Sequence, residues 1–195
     1  MMKLAGIILA AGESARFGGR KQLALIDGKP MICHAIDQLL PVLGDNHLHV
    51  VLGAFAGEIA PHLPTSQSYV VNEDWQAGMG SSIAAGINAI CRAGDYDGVL
   101  IALADQAKLQ TLHYQKLCAA FDGQHIIASH YGNKNGVPAI FPKSLFNDLA
   151  VLAGQEGAKS ILQKHAASLL SVPMDDASFD IDYRSDLDRL NQISA

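Results

Sequence analysis

Residues 4–21, LAGIILAAGESARFGGRK, place an uninterrupted apolar run directly before a loop rich in glycine and arginine. The run at residues 4–9 shows no alternation of polar and apolar side chains, which predicts a parallel β-strand covered on both faces. In doubly wound sheets, ligands bind at the carboxyl ends of the strands, where the strand order reverses. The loop that follows this first strand is therefore the first candidate for a binding site.

The chain continues with the same alternation of short aliphatic runs and helical patterns. Further buried strands are predicted at residues 49–52, 68–71, 98–103 and 125–128. Apolar residues recur at helical spacing in residues 30–40, 57–62, 81–92 and 109–121, which predicts helices there. This alternation is typical of an α/β fold with a mostly parallel sheet and helices on both faces.

The pattern becomes less regular after about residue 130. Strands are predicted at residues 137–141 and 169–172, and helices at residues 143–149, 157–165 and 185–193. We interpret residues 1–195 as a single domain, since this length is common for one domain. The second half is expected to carry an insertion that lies over the sheet.

The composition excludes several classes of protein. The chain has 195 residues, of which 49% are apolar and 17% charged, and a formal net charge of −5. These values exclude disorder and argue against a nucleic-acid partner. No apolar run approaches the ~20 residues of a membrane helix. Cys33, Cys91 and Cys118 are odd in number and form no C-x-x-C pair, which favours reduced thiols and a cytoplasmic location.

The loop after the first strand has the residues of a phosphate-binding loop. Gly12 and Gly18 permit a tight turn, and Arg16, Arg20 and Lys21 place three of the fourteen cations of the chain within six residues. Backbone N–H groups beside such cations can cradle a phosphate. The spacing matches neither a Walker A loop nor G-x-G-x-x-G. The alternative is a surface loop with scattered charges.

Two acidic positions are candidates for metal ligands. Asp105 directly follows the strand predicted at residues 98–103, where a substrate-bound Mg²⁺ would lie, although an Asp here can equally serve as a helix N-cap. The segment Asp180-Ile181-Asp182 could supply a second carboxylate, or it could be a solvated strand end.

The stretch GMGSS at residues 78–82 is a further candidate. Its glycines form a turn before the helix predicted at residues 81–92, and its serines open that helix and can cap its free N–H groups. The N-terminus of this helix could hold an anion or a polar base edge. The alternative is an ordinary capped helix with Trp75 packed in the core. A covalent hydrolase is disfavoured, because Ser14 has no recognisable His and Asp partners and G-x-S-x-G is absent.

Taken together, four motifs resemble those of one enzyme family. They are LAAGESARFG at residues 9–18 with Lys21-Gln22-Leu23, GMGSS at 78–82, Ala104-Asp105-Gln106, and Gly136-Val137-Pro138. In this order they resemble the molybdenum cofactor cytidylyltransferases, which are related to the molybdenum cofactor guanylyltransferases. The resemblance covers nearly the whole chain. It departs at Ala107, where the family usually has proline, and at Gln155-Glu156, before Gly157.

The resemblance implies a Rossmann-like nucleotidyltransferase fold that transfers CMP from CTP to the molybdenum cofactor and releases pyrophosphate. It implies that Arg16 and Lys21 stabilise charge on the phosphates, and that Asp105 and Asp182 hold Mg²⁺. It places the nucleotide against Ala10, Ala11, Gly12, Ser14, Gly18, Gly80, Ser81 and Ser82.

Two alternatives stay open. One is an enzyme of the same fold that acts on another phosphorylated acceptor, such as a sugar or alditol phosphate. The other is a non-catalytic nucleotide-binding factor that serves the maturation of molybdoenzymes. If the acceptor is the molybdenum cofactor, a molybdoenzyme or its maturation chaperone is a candidate partner. Neither a nucleic-acid nor a membrane partner is expected.

Overall fold

The computed structural model describes residues 2–193, and the side chains of residues 2–190. The strands are β1 (Leu4–Ala10), β2 (Leu25–Ile26), β3 (Lys29–Pro30), β4 (Leu48–Leu52), β5 (Ser68–Val71), β6 (Gly98–Leu103), β7 (Ile127–Tyr131), β8 (Lys134–Pro142) and β9 (Leu170–Pro173). The α-helices are α1 (Met31–Leu43), α2 (Ala56–Ile59), α3 (Met79–Ala93), α4 (Thr111–Ala120), α5 (Phe146–Ala150), α6 (Lys159–Lys164) and α7 (Arg184–Ile193). Short 3₁₀ turns include Ala15–Phe17, Lys21–Leu23, Trp75–Ala77 and Asp175–Ser178.

Seven strands form one sheet in the order β5-β4-β1-β6-β8-β7-β9. Strand β1 pairs in parallel with β4 on one side and β6 on the other, and β4 pairs in parallel with β5. Strand β8 runs antiparallel to both β6 and β7, whereas β9 is parallel to β7. The predicted mostly parallel α/β sheet is confirmed, and its strand order reverses at β1.

Helices cover both faces of the sheet. Ile7 and Ile8 are adjacent in β1 and fully buried, but they belong to different apolar clusters. The Ile8 cluster packs against α1 and α4, and the Ile7 cluster against α3, α5 and α6. Because successive strand residues point to opposite faces, a sheet covered on both sides needs an apolar residue at every position. This explains why the strand reads as a continuous run.

Several predicted elements differ from the structure in position or burial. Strand β8 begins three residues before residue 137, and the helix predicted at residues 143–149 is a 3₁₀ turn at Lys143–Leu145 followed by α5. Residues 68–71 form a strand, but one that is largely exposed, because β5 is at the edge of the sheet. Strand β7 begins at Ile127 and not at residue 125, since the Asp122 carboxylate accepts hydrogen bonds from the N–H groups of Gln124 and His125 in a turn. The third helix begins two residues earlier than predicted, at Met79.

The segment after residue 130 contributes to both the sheet and its cover. Strands β8 and β9 extend the sheet beyond β6, while α5 and α6 pack on the face that also carries α3. The final segment returns to the first half of the chain, where the N–H of Ile181 donates to the carbonyl of Asp105 at 3.0 Å. Within residues 2–193, no helix is long and apolar enough to cross a membrane.

Candidate active site

A cavity of about 560 Å³ opens at the carboxyl ends of β1 and β6. The loop at residues 9–17 forms one wall, and the turn around Gly78 and Met79 forms another. Of the predicted site residues, the cavity brings together Ala10, Ala11, Gly12, Ser14, Arg16, Lys21, Ser82, Asp105 and Asp182. It lies where β1 meets its two parallel neighbours, as expected for a doubly wound sheet.

The loop after β1 presents free hydrogen-bond donors. In the described part of the chain, no backbone N–H of residues 12–16 donates a hydrogen bond to another protein group. Ser14 has φ of 55° and Gly18 has φ of 74°, so the chain turns through two left-handed positions around the 3₁₀ turn. The unbonded N–H groups form a concave donor surface of the kind that binds phosphate.

Lys21 joins two carboxylates from distant parts of the chain. Its Nζ lies 2.5 Å from Oδ2 of Asp105 and 3.5 Å from Oδ1 of Asp182, and it donates to the carbonyl of Ile181 at 3.0 Å. Arg16 is largely exposed and lies 3.1 Å from the other carboxylate oxygen of Asp182. The structure therefore brings the predicted catalytic and metal-binding residues into one cluster at the mouth of the cavity.

Arg20 does not join this cluster. Its guanidinium forms an ion pair with Glu58 and lies over the ring of Phe55, 5.4 Å from the centroid. Arg20 therefore fixes the loop to the region of α2, and only two of the three loop cations, Arg16 and Lys21, line the cavity.

Asp105 and Asp182 fit a divalent metal that is completed by ligand oxygens. Oδ1 of Asp105 is buried and has no hydrogen-bond partner in the described part of the chain, which leaves it free to coordinate. Residues 2–193 contain no group of three or more acidic, His or Cys side chains that could hold a metal alone. Mg²⁺ commonly takes one or two carboxylates together with phosphate oxygens. The N-cap alternative for Asp105 is wrong, because α4 begins at Thr111 and is capped by Gln110.

Asp180 is a third carboxyl group near this cluster. Partial burial raises the pKa of Asp180 to about 7, and the negative charges of Asp105 and Asp182 add to the shift. Besides burial, the raised pKa reflects repulsion between three neighbouring carboxyl groups, which a bound cation would reduce.

The GMGSS stretch lines the cavity with Gly78, Met79 and Ser82, and the hydroxyl groups of both its serines are hydrogen-bonded within the protein. The prediction that its serines cap the helix is wrong, because Gly78 occupies the N-cap position. The hydroxyl of Ser81 lies 2.8 Å from the carbonyl of Gly78 and 2.9 Å from that of Asp74. The side-chain amide of Asn72 lies 2.9 Å from the hydroxyl of Ser81 and 3.0 Å from that of Ser82.

Three predicted nucleotide-binding residues, Gly18, Gly80 and Ser81, do not line the cavity. Gly80 instead packs its backbone against the loop before α6, where its N–H donates to the carbonyl of Gly154 at 2.9 Å. A Cβ on Gly80 would lie 2.6 Å from backbone atoms of Ala153. Gly80 therefore shapes the site from outside the cavity, since the close approach of two backbones requires glycine.

Two residues missed as functional candidates organise the site. Gln22 is buried, and its amide donates to the carbonyls of Ala10 and Gly12. Gln106 is also buried and donates to the carbonyls of Val137 and Ala177, so it ties the end of β6 to β8 and to the segment before Asp182. The only available signal was the place of both glutamines in motifs next to Lys21 and Asp105.

A reversed strand order at β1, a donor-rich loop and two carboxylates that share Lys21 are the features expected of an α/β nucleotidyltransferase. Comparison with known proteins agrees. The family model described as "MobA-like NTP transferase domain" matches residues 6–169 of this chain. The chain therefore belongs to the MobA-like NTP transferase family, whose members are nucleotidyltransferase enzymes.

Individual relatives carry different names. The chain is 30% identical to nicotine blue oxidoreductase of Paenarthrobacter nicotinovorans over 169 aligned residues. The alignment covers 82% of this chain and 81% of that protein. It is 24% identical to molybdenum cofactor guanylyltransferase of Cereibacter sphaeroides, over 98% and 97% of the two chains. The solved structure of a homologue of Mycobacterium tuberculosis Rv0371c, from Mycobacterium sp. strain JC1, superposes with a TM-score of 0.84 and is 25% identical in sequence. The superposition covers 98% of this chain and 96% of that chain. The predicted family and enzyme class are confirmed.

Proposed function

We propose that this chain transfers CMP from CTP to a molybdopterin-type molybdenum cofactor and releases pyrophosphate. The observation that carries the proposal is the cluster in which Lys21 and Arg16 meet Asp105 and Asp182 beside the five free N–H groups of residues 12–16. Such an arrangement offers donors and cations for a triphosphate and carboxylates for its metal. The molybdenum cofactor as acceptor is supported by the four sequence motifs and by the relative that is named a molybdenum cofactor guanylyltransferase.

In the proposed reaction, a terminal phosphate oxygen of the acceptor attacks the α-phosphorus of the nucleotide. The bond from that phosphorus to the bridging oxygen breaks, and pyrophosphate carries away the electron pair. The loop N–H groups hold the phosphates, and the Lys21 ammonium offsets the charge that grows on the leaving group. Phosphoryl transfer of this type depends on positioning and charge neutralisation more than on a protein nucleophile.

Asp105 and Asp182 would hold the divalent metal, for which Mg²⁺ is the proposed ion. When bound there, the metal supplies positive charge to the α-phosphate. The chain itself contributes the free Oδ1 of Asp105 and positions Asp182 through the hydrogen bond between Ile181 and Asp105.

We place the acceptor in a second cavity of about 410 Å³, which shares Leu9, Met79 and Leu103 with the first. Its wall is mostly apolar, and its rim carries three exposed charged side chains, of which Lys134 and Lys159 are positive and Glu156 is negative. Part of its wall comes from residues 156–169, so the segment after residue 130 would cover the acceptor as the sequence predicts. A mostly apolar wall with two lysines at its rim suits a flat ring system that carries a phosphate better than a sugar or alditol phosphate.

The decisive assay is pyrophosphate release, measured with each NTP, Mg²⁺ and a panel of acceptors that includes the molybdenum cofactor. Release only with CTP and the molybdenum cofactor supports the proposal. Release with a sugar or alditol phosphate identifies another acceptor. Nucleotide binding without any release indicates a maturation factor that passes its ligand to a molybdoenzyme or a chaperone.

A first prediction concerns the choice of nucleotide: kcat/KM for CTP should exceed that for GTP. The family resemblance implies glycine in the related guanylyltransferases at the position that Ala11 occupies here. The Ala11 methyl group lies at the cavity wall beside Gly53, on which a Cβ would lie 2.8 Å from it. One methyl group is worth about 1–3 kcal/mol of discrimination, so Ala11→Gly should relax the preference without reversing it. Equal kcat/KM values in the unchanged protein would contradict this prediction.

A second prediction concerns Gly12, where an added Cβ would meet no protein atom within 4 Å and φ is not in the left-handed region. Gly12→Ala should therefore fold normally but project a methyl group into the cavity. We expect the KM for the nucleotide to rise roughly tenfold, with the thermal midpoint unchanged or slightly raised. Gly57→Ala is a matched control, since Gly57 also faces open space but lies outside the cavity. Equal KM values for the two variants would contradict this prediction, because they would show that the bound nucleotide does not lie against Gly12.

A further inference from the structure

We infer that Gln22 is a positioning residue that turns the loop N–H groups toward the nucleotide phosphates. The inference rests on the proposed function, since it assumes that the loop at residues 12–16 binds a triphosphate. It assigns the orientation of the loop to one buried side chain that carries no charge.

The contacts of Gln22 are specific and nearly shielded from water. Its side chain is 2% exposed, and its Nε2 lies 3.0 Å from the carbonyl oxygen of Ala10 and 2.9 Å from that of Gly12. The hydroxyl of Ser14 lies 3.4 Å from its Oε1. Both hydrogens of the Gln22 amide group are therefore donated to loop carbonyls. One side chain thus fixes two successive parts of the loop, at Ala10 and at Gly12.

The geometry of the peptide bond explains why these contacts orient the donors. In a trans peptide, the carbonyl of one residue and the N–H of the next point in opposite directions. When the Gly12 carbonyl is held toward Gln22, the N–H of Glu13 must point away from Gln22. The 3₁₀ turn at Lys21–Leu23 directs adjacent side chains about a third of a turn apart, so Lys21 faces the carboxylates while Gln22 faces the loop.

The chemistry of this position requires an amide of this length. A glutamate of the same shape accepts hydrogen bonds but cannot donate to two carbonyls, and a methionine fills the volume without any hydrogen bond. Without these bonds, the carbonyls of Ala10 and Gly12 would lose their orientation and could turn toward the phosphates, which would repel the triphosphate.

The test compares Gln22→Met with a matched variant, Gln67→Met. Gln67 is also buried and also donates its amide to two carbonyls, those of Leu48 at 2.7 Å and Ser68 at 2.9 Å. Those residues begin β4 and β5, at the end of the sheet opposite to the cavity. Both variants should lose similar thermal stability. Only Gln22→Met should weaken the binding of CTP and of inorganic tripolyphosphate, by roughly tenfold or more in isothermal titration calorimetry.

A steady-state measurement adds a second readout. In Gln22→Met the KM for the nucleotide should rise while the KM for the acceptor stays unchanged, which a general loss of stability would not produce. Tripolyphosphate binding by Gln22→Met within twofold of the unchanged protein would overturn the inference, as would an equal loss in Gln67→Met.

Hydrogen–deuterium exchange in the unchanged protein tests the geometric premise of the inference, that the N–H groups of residues 12–16 are free to bind phosphate, and it needs no folded variant. The amides of residues 12–16 should exchange rapidly without ligand and become protected when tripolyphosphate is added. Protection before the ligand is added, or none after it, would overturn the assigned orientation. If the unchanged protein binds neither CTP nor tripolyphosphate, the proposed function fails first, and the role of Gln22 fails with it.

Discussion

Replacing Asp105 with Asn should reduce turnover by about 100-fold or more and leave the fold intact, since metal-assisted charge stabilisation is commonly worth several kcal/mol. Asn keeps the volume of the side chain but removes the negative charge that the metal requires. The buried Oδ1 of Asp105, which has no partner among the described residues, is the atom that this substitution affects most. The measurements are pyrophosphate release and Mn²⁺ binding by electron paramagnetic resonance, with circular dichroism to confirm folding.

Asp95→Asn is the control for the loss of a lysine-paired carboxylate. Asp95 lies 2.5 Å from Nζ of Lys143, the same separation as in the pair of Lys21 and Asp105, but its side chain is 85% exposed and far from the cavity. This variant should retain full turnover, because exposed ion pairs contribute little. Turnover of Asp105→Asn within a few-fold of the unchanged protein, with normal Mn²⁺ binding, would show that Asp105 is not a metal ligand.

The sheet could be predicted from the sequence because burial on both faces leaves a simple pattern. Strands β1 and β6 are continuous apolar runs, and both were predicted within one residue of their observed bounds. The edge strand β5 could be located but not its exposure, since its sequence SYVV does not reveal that it lacks a neighbour on one side. Edge position is a property of the whole topology.

The cluster of Lys21 and Asp105 could also be anticipated, because both residues follow strands that end at the same edge of the sheet. The segment Asp180-Ile181-Asp182 could be named as a candidate from the sequence, but the choice of Asp182 rested on the family resemblance, since nothing in the local sequence shows that this segment returns to β6. The contacts of Gln22 and Gln106 could not be predicted, because their partners are backbone carbonyls that any residue presents. The ion pair of Arg20 with Glu58 could not be predicted either, because nothing in the sequence relates these two positions.

Replacing Lys21 with Ala should have two separable effects, of which the first is on catalysis. Lys21 lies at the cavity, where its ammonium would face the leaving pyrophosphate. Negative charge on that group increases during transfer, so the ammonium stabilises the transition state more than the bound nucleotide. We expect kcat to fall by about 100-fold with a much smaller change in the KM for the nucleotide. A rise in KM alone, with kcat unchanged, would make Lys21 a binding residue only.

The second effect of Lys21→Ala is on metal binding in the absence of nucleotide. In the structure the Lys21 ammonium contacts both Asp105 and Asp182, so it competes with a divalent cation for the same carboxylates. Its removal should therefore tighten Mn²⁺ binding, whereas Lys29→Ala, which breaks an exposed pair with Asp37, should not. Removal also leaves two carboxylates without their shared cation, so the variant should melt at a lower temperature and recover when Mn²⁺ is added. Mn²⁺ binding that is unchanged or weaker in Lys21→Ala would contradict the shared site, because a lysine that only binds phosphate would not affect the metal.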